Sequence, residues 1–208
     1  MPIVSDRLRK SSASSSSSKD GFLNPGSVVD GSSVRFALLE EDAFDYYLFW
    51  VQEVNGKGRK PIRCTDEPSP EDVSTLIEEA NERYDNEYTR PLARDGKNFE
   101  PLKMAASIPV FNHDIEKVQV FEWTQTTITE ALDKISQMED YADCMTDIDL
   151  VLSREGQGVD TRYSVNAAPR RKNTSTKIKK LWNEAQDNGF DIKRLIGGGN
   201  PFEESSDD

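Results

Sequence analysis

The chain has 208 residues, 35% hydrophobic and 31% charged, with a formal net charge of −12. That suits one domain with a single modest core plus tails, and no apolar run reaches the roughly 18 residues a membrane helix needs. One histidine (His113) and two distant cysteines (Cys64, Cys144) do not make a usual structural zinc set or a convincing nucleophile set. No metal, cofactor or enzymatic activity is therefore expected.

The acidic excess lies in residues 32–167. Residues 168–196 hold eight Lys/Arg against three Asp/Glu, and residues 197–208 hold four acids and no base. Net charge alone argues against a nucleic-acid binder, so where the cations gather is what matters. The opening MPIVSDRLRK lacks an apolar signal core, which predicts an intracellular protein.

In chain order, residues 1–31 contain SSASSSSS and then Gly, Pro and Ser, a composition that predicts a disordered tail. Val34–Leu39 reads as a short strand. Asp45–Val54 (DYYLFWVQEV) is the most aromatic stretch. In a strand, Phe44, Tyr46, Leu48 and Trp50 point one way and Tyr47, Phe49 and Val51 the other. One face must be core, and the other is either covered or a stacking surface. Asn55-Gly56 signals a hairpin turn, and Lys57, Arg59, Lys60 and Arg63 follow within seven residues. Aromatic strand and basic turn together compose a single-strand nucleic-acid groove, in which bases stack on rings and cations follow phosphates. An ordinary core strand beside a solvated loop fits the same residues.

Ser69-Pro70-Glu71-Asp72 opens a helix with the stripe Val73, Leu76, Ile77, Ala80, Tyr84. Residues 85–100 read as a polar loop carrying Arg90, Arg94 and Lys97. Ala105–Val110 and Val118–Trp123 form a hairpin around Asn112, His113 and Asp114. Thr127 and Glu130 have capping-box spacing before a stripe of Ile128, Ala131, Leu132, Ile135 and Met138. A closing hairpin pairs Ile148, Leu150 and Leu152 with Tyr163 and Val165 across Glu155-Gly156-Gln157-Gly158. A basic third helix carries Ile178, Leu181, Trp182 and Ala185 and stops at Gly189. Gly197–Gly199 reads as a flexible joint to the acidic tail NPFEESSDD.

SSVRFALL, DYYLFWVQEV, IPVFNHDIEKVQVFEWTQTTITEALDKI and DIDLVLSREGQGVDTRYSV together resemble single-stranded DNA-binding proteins of tailed bacteriophages. The resemblance covers roughly Ser33 to Val165. It implies a mainly β fold with helices: an OB-like five-stranded barrel, a helix between strands and a C-terminal helix. Some members of such families carry a cysteine-rich zinc insertion after the second hairpin; here RCTDEPSPED holds Cys64 without partners.

The implied organisation is a 1–31 tail, a 32–167 ssDNA-binding domain, a 168–196 basic helix and a 197–208 acidic tail. The expected function is sequence-nonspecific ssDNA binding in phage replication, recombination and repair, in the cytoplasm of an infected bacterium. Tyr47, Trp50, Phe111 and Trp123 are the expected stacking rings. Arg35, Arg59, Lys60, Arg63, Lys103 and Arg162 are the expected phosphate contacts. Phe202, Glu203, Glu204, Asp207 and Asp208 are the tail residues expected to recruit replication or recombination enzymes. The alternative is an acidic protein-interaction module, mimicking nucleic acid or inhibiting a host enzyme.

Overall fold

A computed structural model describes residues 21–203. It is mostly β with three helices, as expected. The strands are β1 (Phe22–Leu23), β2 (Ser32–Leu38), β3 (Phe44–Glu53), β4 (Arg59–Cys64), β5 (Tyr88–Thr89), β6 (Lys103–Asn112), β7 (Lys117–Trp123), β8 (Asp149–Glu155) and β9 (Arg162–Ala168). The helices are α1 (Pro70–Tyr84), α2 (Thr126–Ser136) and α3 (Ser175–Asp187). The nine strands make one open sheet, and a closed five-stranded barrel is not shown by their pairings. Among the described residues no helix is long and apolar enough to cross a membrane.

The described chain divides into two compact units rather than the one core expected for 32–167. Residues up to Asp42 join Ile108–Ala185 in the first, and Ala43–Ser107 join the residues from Gln186 on in the second. The physical reason is visible in β3, whose hairpin and helix α1 hold enough apolar surface for a core of their own: Phe49, Val51, Ile62, Ala80 and Tyr88.

In the first unit the strand order is β1-β7-β6-β2-β8-β9. Period-two alternation sends Phe36, Val120, Leu150 and Leu152 into the core, where none is exposed. Helix α2 buries Ile128 and Ile135. It starts at Thr126 after Gln125, with no side-chain cap, so the expected Thr127–Glu130 capping box does not form. Met138 falls beyond its end and is 40% exposed. Helix α3 sets Ile178 and Leu181 against Ala37 and Phe111.

Residues 21–31 are not a continuation of a tail. Strand β1 lies parallel to β7, with Phe22 opposite Val120, and Leu23, Pro25 and Val28 are buried. The Arg154 guanidinium donates to the carbonyls of Gly26 and Val28, and the Asp30 carboxylate accepts from the Gly156 N–H. The few apolar residues after the serines cover the free edge of β7. Residues 1–20, which hold the serine run, lie outside the described residues.

At the centre of this unit sits Asp149, whose side chain is wholly buried. Arg35 Nε and the Arg171 backbone N–H donate to Oδ2 at 2.7 and 3.0 Å. His113 Nε2 stands 3.0 Å and Arg170 Nε 3.3 Å from Oδ1. Arg35 also donates to the Pro169 carbonyl, and Arg170 to that of Thr146. Burial pushes the Arg170 pKa down, with Asp149 and Asp147 acting the other way. Removing one partner of such a cluster leaves uncompensated buried charge. Asp149→Ala is expected to lower unfolding free energy by ~3–5 kcal/mol in urea titration; a loss below ~1 kcal/mol would mean the cations are hydrated without it.

In the second unit β3 pairs with β4 through a tight turn, and with β5 and the first half of β6 on its other edge. The Glu53 N–H donates to the Gly58 carbonyl and the Glu53 carboxylate accepts from the Gly58 N–H. A Cβ at Gly58 would come within 2.2 Å of the Glu53 carboxylate, the far end of a flexible side chain that can swing aside.

Helix α1 starts as expected. The Asp72 N–H donates to Ser69 Oγ, and the Ser69 N–H donates back to the Asp72 carboxylate. Val73, Leu76, Ile77 and Tyr84 pack on the core of Phe49, Val51 and Ile62. The expected loop 85–100 has structure of its own: β5, then a second small hairpin in which Leu92 pairs with Phe99.

The chain from 197 to 203 is not a free joint and tail either. Gly198 takes φ +71, and the Gly199 N–H closes a turn on the Arg194 carbonyl. Pro201 is buried, and its carbonyl accepts from the Asp191 N–H. Phe202 meets Phe190 edge-on at 5.0 Å, and Arg194 Nη1 donates to the carbonyls of Gly189 and Glu203. An aromatic pair bridged by one arginine folds this segment back on itself. Glu204, Asp207 and Asp208 lie outside the described residues.

Ser69→Ala is expected to lower stability by ~1 kcal/mol, since α1 loses its N-cap acceptor. The bond from Ser69 holds the Asp72 pKa below its ordinary 3.8. A depressed carboxylate stabilises the fold fully above that ordinary value and less as pH falls through the lower folded one. Thermal melts between pH 5 and pH 2 should therefore show a shallower acid decline in Asp72→Asn than in the parent chain.

Candidate nucleic-acid interface

Strand register sorts the expected site residues before any distance is considered. Directly paired residues of antiparallel strands share a face. Trp50 pairs with Pro61, Leu48 with both Arg63 and Lys103, and Gln52 with Arg59. Trp50, Arg59, Arg63 and Lys103 therefore project from one face of the sheet. Tyr47 pairs with Cys64 and Met104, and Val51 with Lys60, so Tyr47 and Lys60 project from the other. That second face carries Phe49 and Val51 into the α1 core.

Trp50 is partly exposed, and the Arg59 guanidinium lies 5.4 Å from its ring centre. Arg59 also pairs with Glu100 at 2.5 Å. Both side chains are substantially open to solvent, and such pairs contribute only ~0–1 kcal/mol. A phosphate can take the place of Glu100 at small cost, which leaves Arg59 available as a strand contact stacked above a ring. Lys103 is exposed on the same face, and the Arg63 guanidinium lies 5.9 Å from the Tyr46 ring. Tyr46 and Leu48, on this face too, are each 1% exposed, and the face opens at its two ends, at Trp50 and at Phe44.

The other expected residues are placed differently. Lys60 Nζ sits 4.1 Å over the Tyr84 ring of α1, on the helix side. Phe111 is 1% exposed and packs with Ala37 and Ile178. Trp123 is 6% exposed, stacks on Phe121 with centroids 4.9 Å apart, and donates its indole N–H to Thr129. Both rings are core of the first unit, not base platforms. Arg35 is turned inward on Asp149. Arg162 is exposed at the start of β9, opposite Glu155. Arg35, Phe111, Trp123 and Arg162 thus belong to the first unit, and the second unit gathers only Trp50, Arg59, Arg63 and Lys103 on one face.

Two residues absent from the expected site make a cation–ring contact elsewhere in the second unit, reaching Phe49 on the face of β3 opposite Trp50. The Arg90 guanidinium lies 5.7 Å from the Phe49 ring and 5.6 Å from that of Phe99, and it donates to the Glu100 carbonyl. Phe99 is 55% exposed. The sequence signal was an aromatic, Phe99, near Arg90, Arg94 and Lys97 in a largely polar stretch.

Of the two cysteines, Cys64 has its thiol pKa pushed up, by burial first and by Asp66 and Asp72 next, which makes it a poor nucleophile. Among the described residues no three His, Cys, Asp or Glu side chains stand together in a metal-holding arrangement. No protein-family model, curated protein or solved structure matches the chain.

Phe111→Ala and Trp123→Ala are each expected to lower unfolding free energy by ~3–5 kcal/mol. The folded fraction should match the parent chain in an ssDNA-binding assay. A selective loss of binding with unchanged stability would return these rings to the interface.

Proposed function

We propose that the protein binds single-stranded DNA without marked sequence preference. The observation that carries this reading is the Trp50 ring, partly exposed beneath the Arg59 guanidinium, on a sheet face that also presents Arg63 and Lys103. Stacking of bases on rings while cations follow the backbone is the general mode of sequence-tolerant strand binding. An overall charge of −12 does not oppose it, because exposed charges beyond about 8–10 Å are screened at ordinary salt.

On this reading the strands correspond to an OB-like five-stranded arrangement elaborated within the larger sheet. The cellular role is protection of single strands during phage replication, recombination and repair, in the cytoplasm of the bacterial host. The acidic C-terminal residues recruit partner enzymes. Stacking and phosphate contacts serve DNA and RNA alike, and a 2′-hydroxyl contact would be needed to separate them.

Fluorescence titration with poly-dT, at low and moderate salt, tests the reading. The chain has three tryptophans. Quenching is expected to arise from Trp50 and to weaken steeply as salt rises. Trp50→Ala should reduce affinity by ~1–3 kcal/mol, and Trp50→Phe should keep most of the affinity while losing the quench. Unchanged affinity in Trp50→Ala would remove the platform. Absence of binding at every salt would remove the function and leave the acidic protein-interaction module as the reading to pursue.

A further inference from the structure

The small hairpin between β5 and β6 has no role in the packing described so far. Its stem is the Leu92–Phe99 pair, closed by bonds from the Ala93 N–H to the Asn98 carbonyl and from the Glu100 N–H to the Pro91 carbonyl. Its tip is built by Asp95, whose carboxylate accepts from the N–H groups of Lys97 and Asn98 and from the Asn98 side chain, with Gly96 at φ +64. Those bonds also hold the Asp95 pKa below its ordinary value.

A formed hairpin presents fixed side chains, and these are unusual for a surface element. Leu92 and Phe99 are 54% and 55% exposed and directly paired, so they share one face of the ribbon. Arg94 and Lys97 are exposed on either side of the tip. Arg90 lies against the Phe99 ring and donates from Nη2 to the Glu100 carbonyl. The next residue, Glu100, is the one that pairs with Arg59 above Trp50. The base of the hairpin is therefore tied to the Trp50 platform.

We infer that the 90–100 hairpin is a second strand-binding element, with Phe99 stacking on a base and Arg94 and Lys97 holding the flanking phosphates. This rests on the ssDNA-binding reading and extends it to residues outside the Trp50 face. A polyanionic strand with flat apolar bases matches both halves of the surface. An apolar protein partner would match Leu92 and Phe99 but not the cations around them. Glu100 then works as a stand-in for phosphate: it holds Arg59 over Trp50 in the free protein and yields when the strand arrives.

The test uses the full chain and a fluorescein-labelled dT oligomer, with affinity read by anisotropy across a salt series. Phe99→Ala should weaken binding roughly 5- to 150-fold, the equivalent of one lost stacking contact. The double variant R94A/K97A should flatten the slope of log affinity against log salt by about 1.4, since each single-strand phosphate contact contributes ~0.7. Photocrosslinking of an iodouridine-substituted oligomer to the unaltered protein supplies a readout that needs no folded variant, and Phe99 should be among the crosslinked residues. If the parent binds with Trp50-dependent quenching, yet both variants bind like it and no crosslink falls within 90–100, the hairpin is not a contact and the Trp50 reading stands alone. If the parent does not bind the oligomer, the hairpin assignment and the ssDNA-binding reading both fail.

Discussion

A strand with large apolar side chains on both faces cannot leave either face fully in water, and β3 is such a strand. Phe49 and Val51 on one side and Tyr46 and Leu48 on the other are each no more than 1% exposed. Helix α1 answers the first requirement, with Val73, Leu76, Ile77 and Ala80 laid over Phe49 and Val51. Burying several such side chains, at ~1.5–3 kcal/mol each, outweighs any preference of the neighbouring polar segments. Once the helix occupies one face, a ring that is to meet a ligand has to stand on the other. Trp50 and Phe44 are the rings on that face with part of their surface open.

Charge in this protein is managed locally. The first unit draws two arginines, a histidine and a backbone N–H onto the single buried carboxylate of Asp149. The two arginines tie β2 and the segment after β9 to β8, and are not available to a polyanion. In the second unit the cations lie over rings instead: Arg59 over Trp50, Lys60 over Tyr84, Arg90 beside Phe49 and Phe99. A guanidinium above an exposed ring remains open to a phosphate, whereas one locked on a buried carboxylate does not. The same residue type is locked in one place and open in the other, and burial of the counter-ion makes the difference.

The C-terminal segment shows how far composition can mislead. Glycines followed by acids read as flexible, yet Pro201, Phe202 and Glu203 are held by Phe190, Asp191 and Arg194. Composition reports what a segment could bury by itself. It is silent about a docking site a dozen residues earlier in the same chain. Residues 21–31 were misread for the same reason, because the partner that orders them, β7, lies about a hundred residues away.

Local rules were sufficient for much of the architecture. Apolar runs with β-branched residues located β2 and β6, alternation located β3, β7, β8 and β9, and the Ser69–Asp72 box marked the start of α1 to the residue. The aromatic hairpin and its cations were legible as a candidate interface because rings beside arginines in a strand need a reason. Which rings stay exposed was not legible. Trp50 and Trp123 both sit in strands with alternating neighbours, and only packing of Phe121 and Thr129 around Trp123 separates core from surface. Likewise Arg35 and Arg59 are each one arginine on a strand. The buried carboxylate that claims Arg35 comes from residue 149, and no sequence pattern announces a contact at that separation. Sequence by itself determined the elements, since helix and strand periodicity are local. The tertiary structure decided which of their side chains are available to a ligand, since exposure and ion pairing are set by what packs against each residue from elsewhere in the chain.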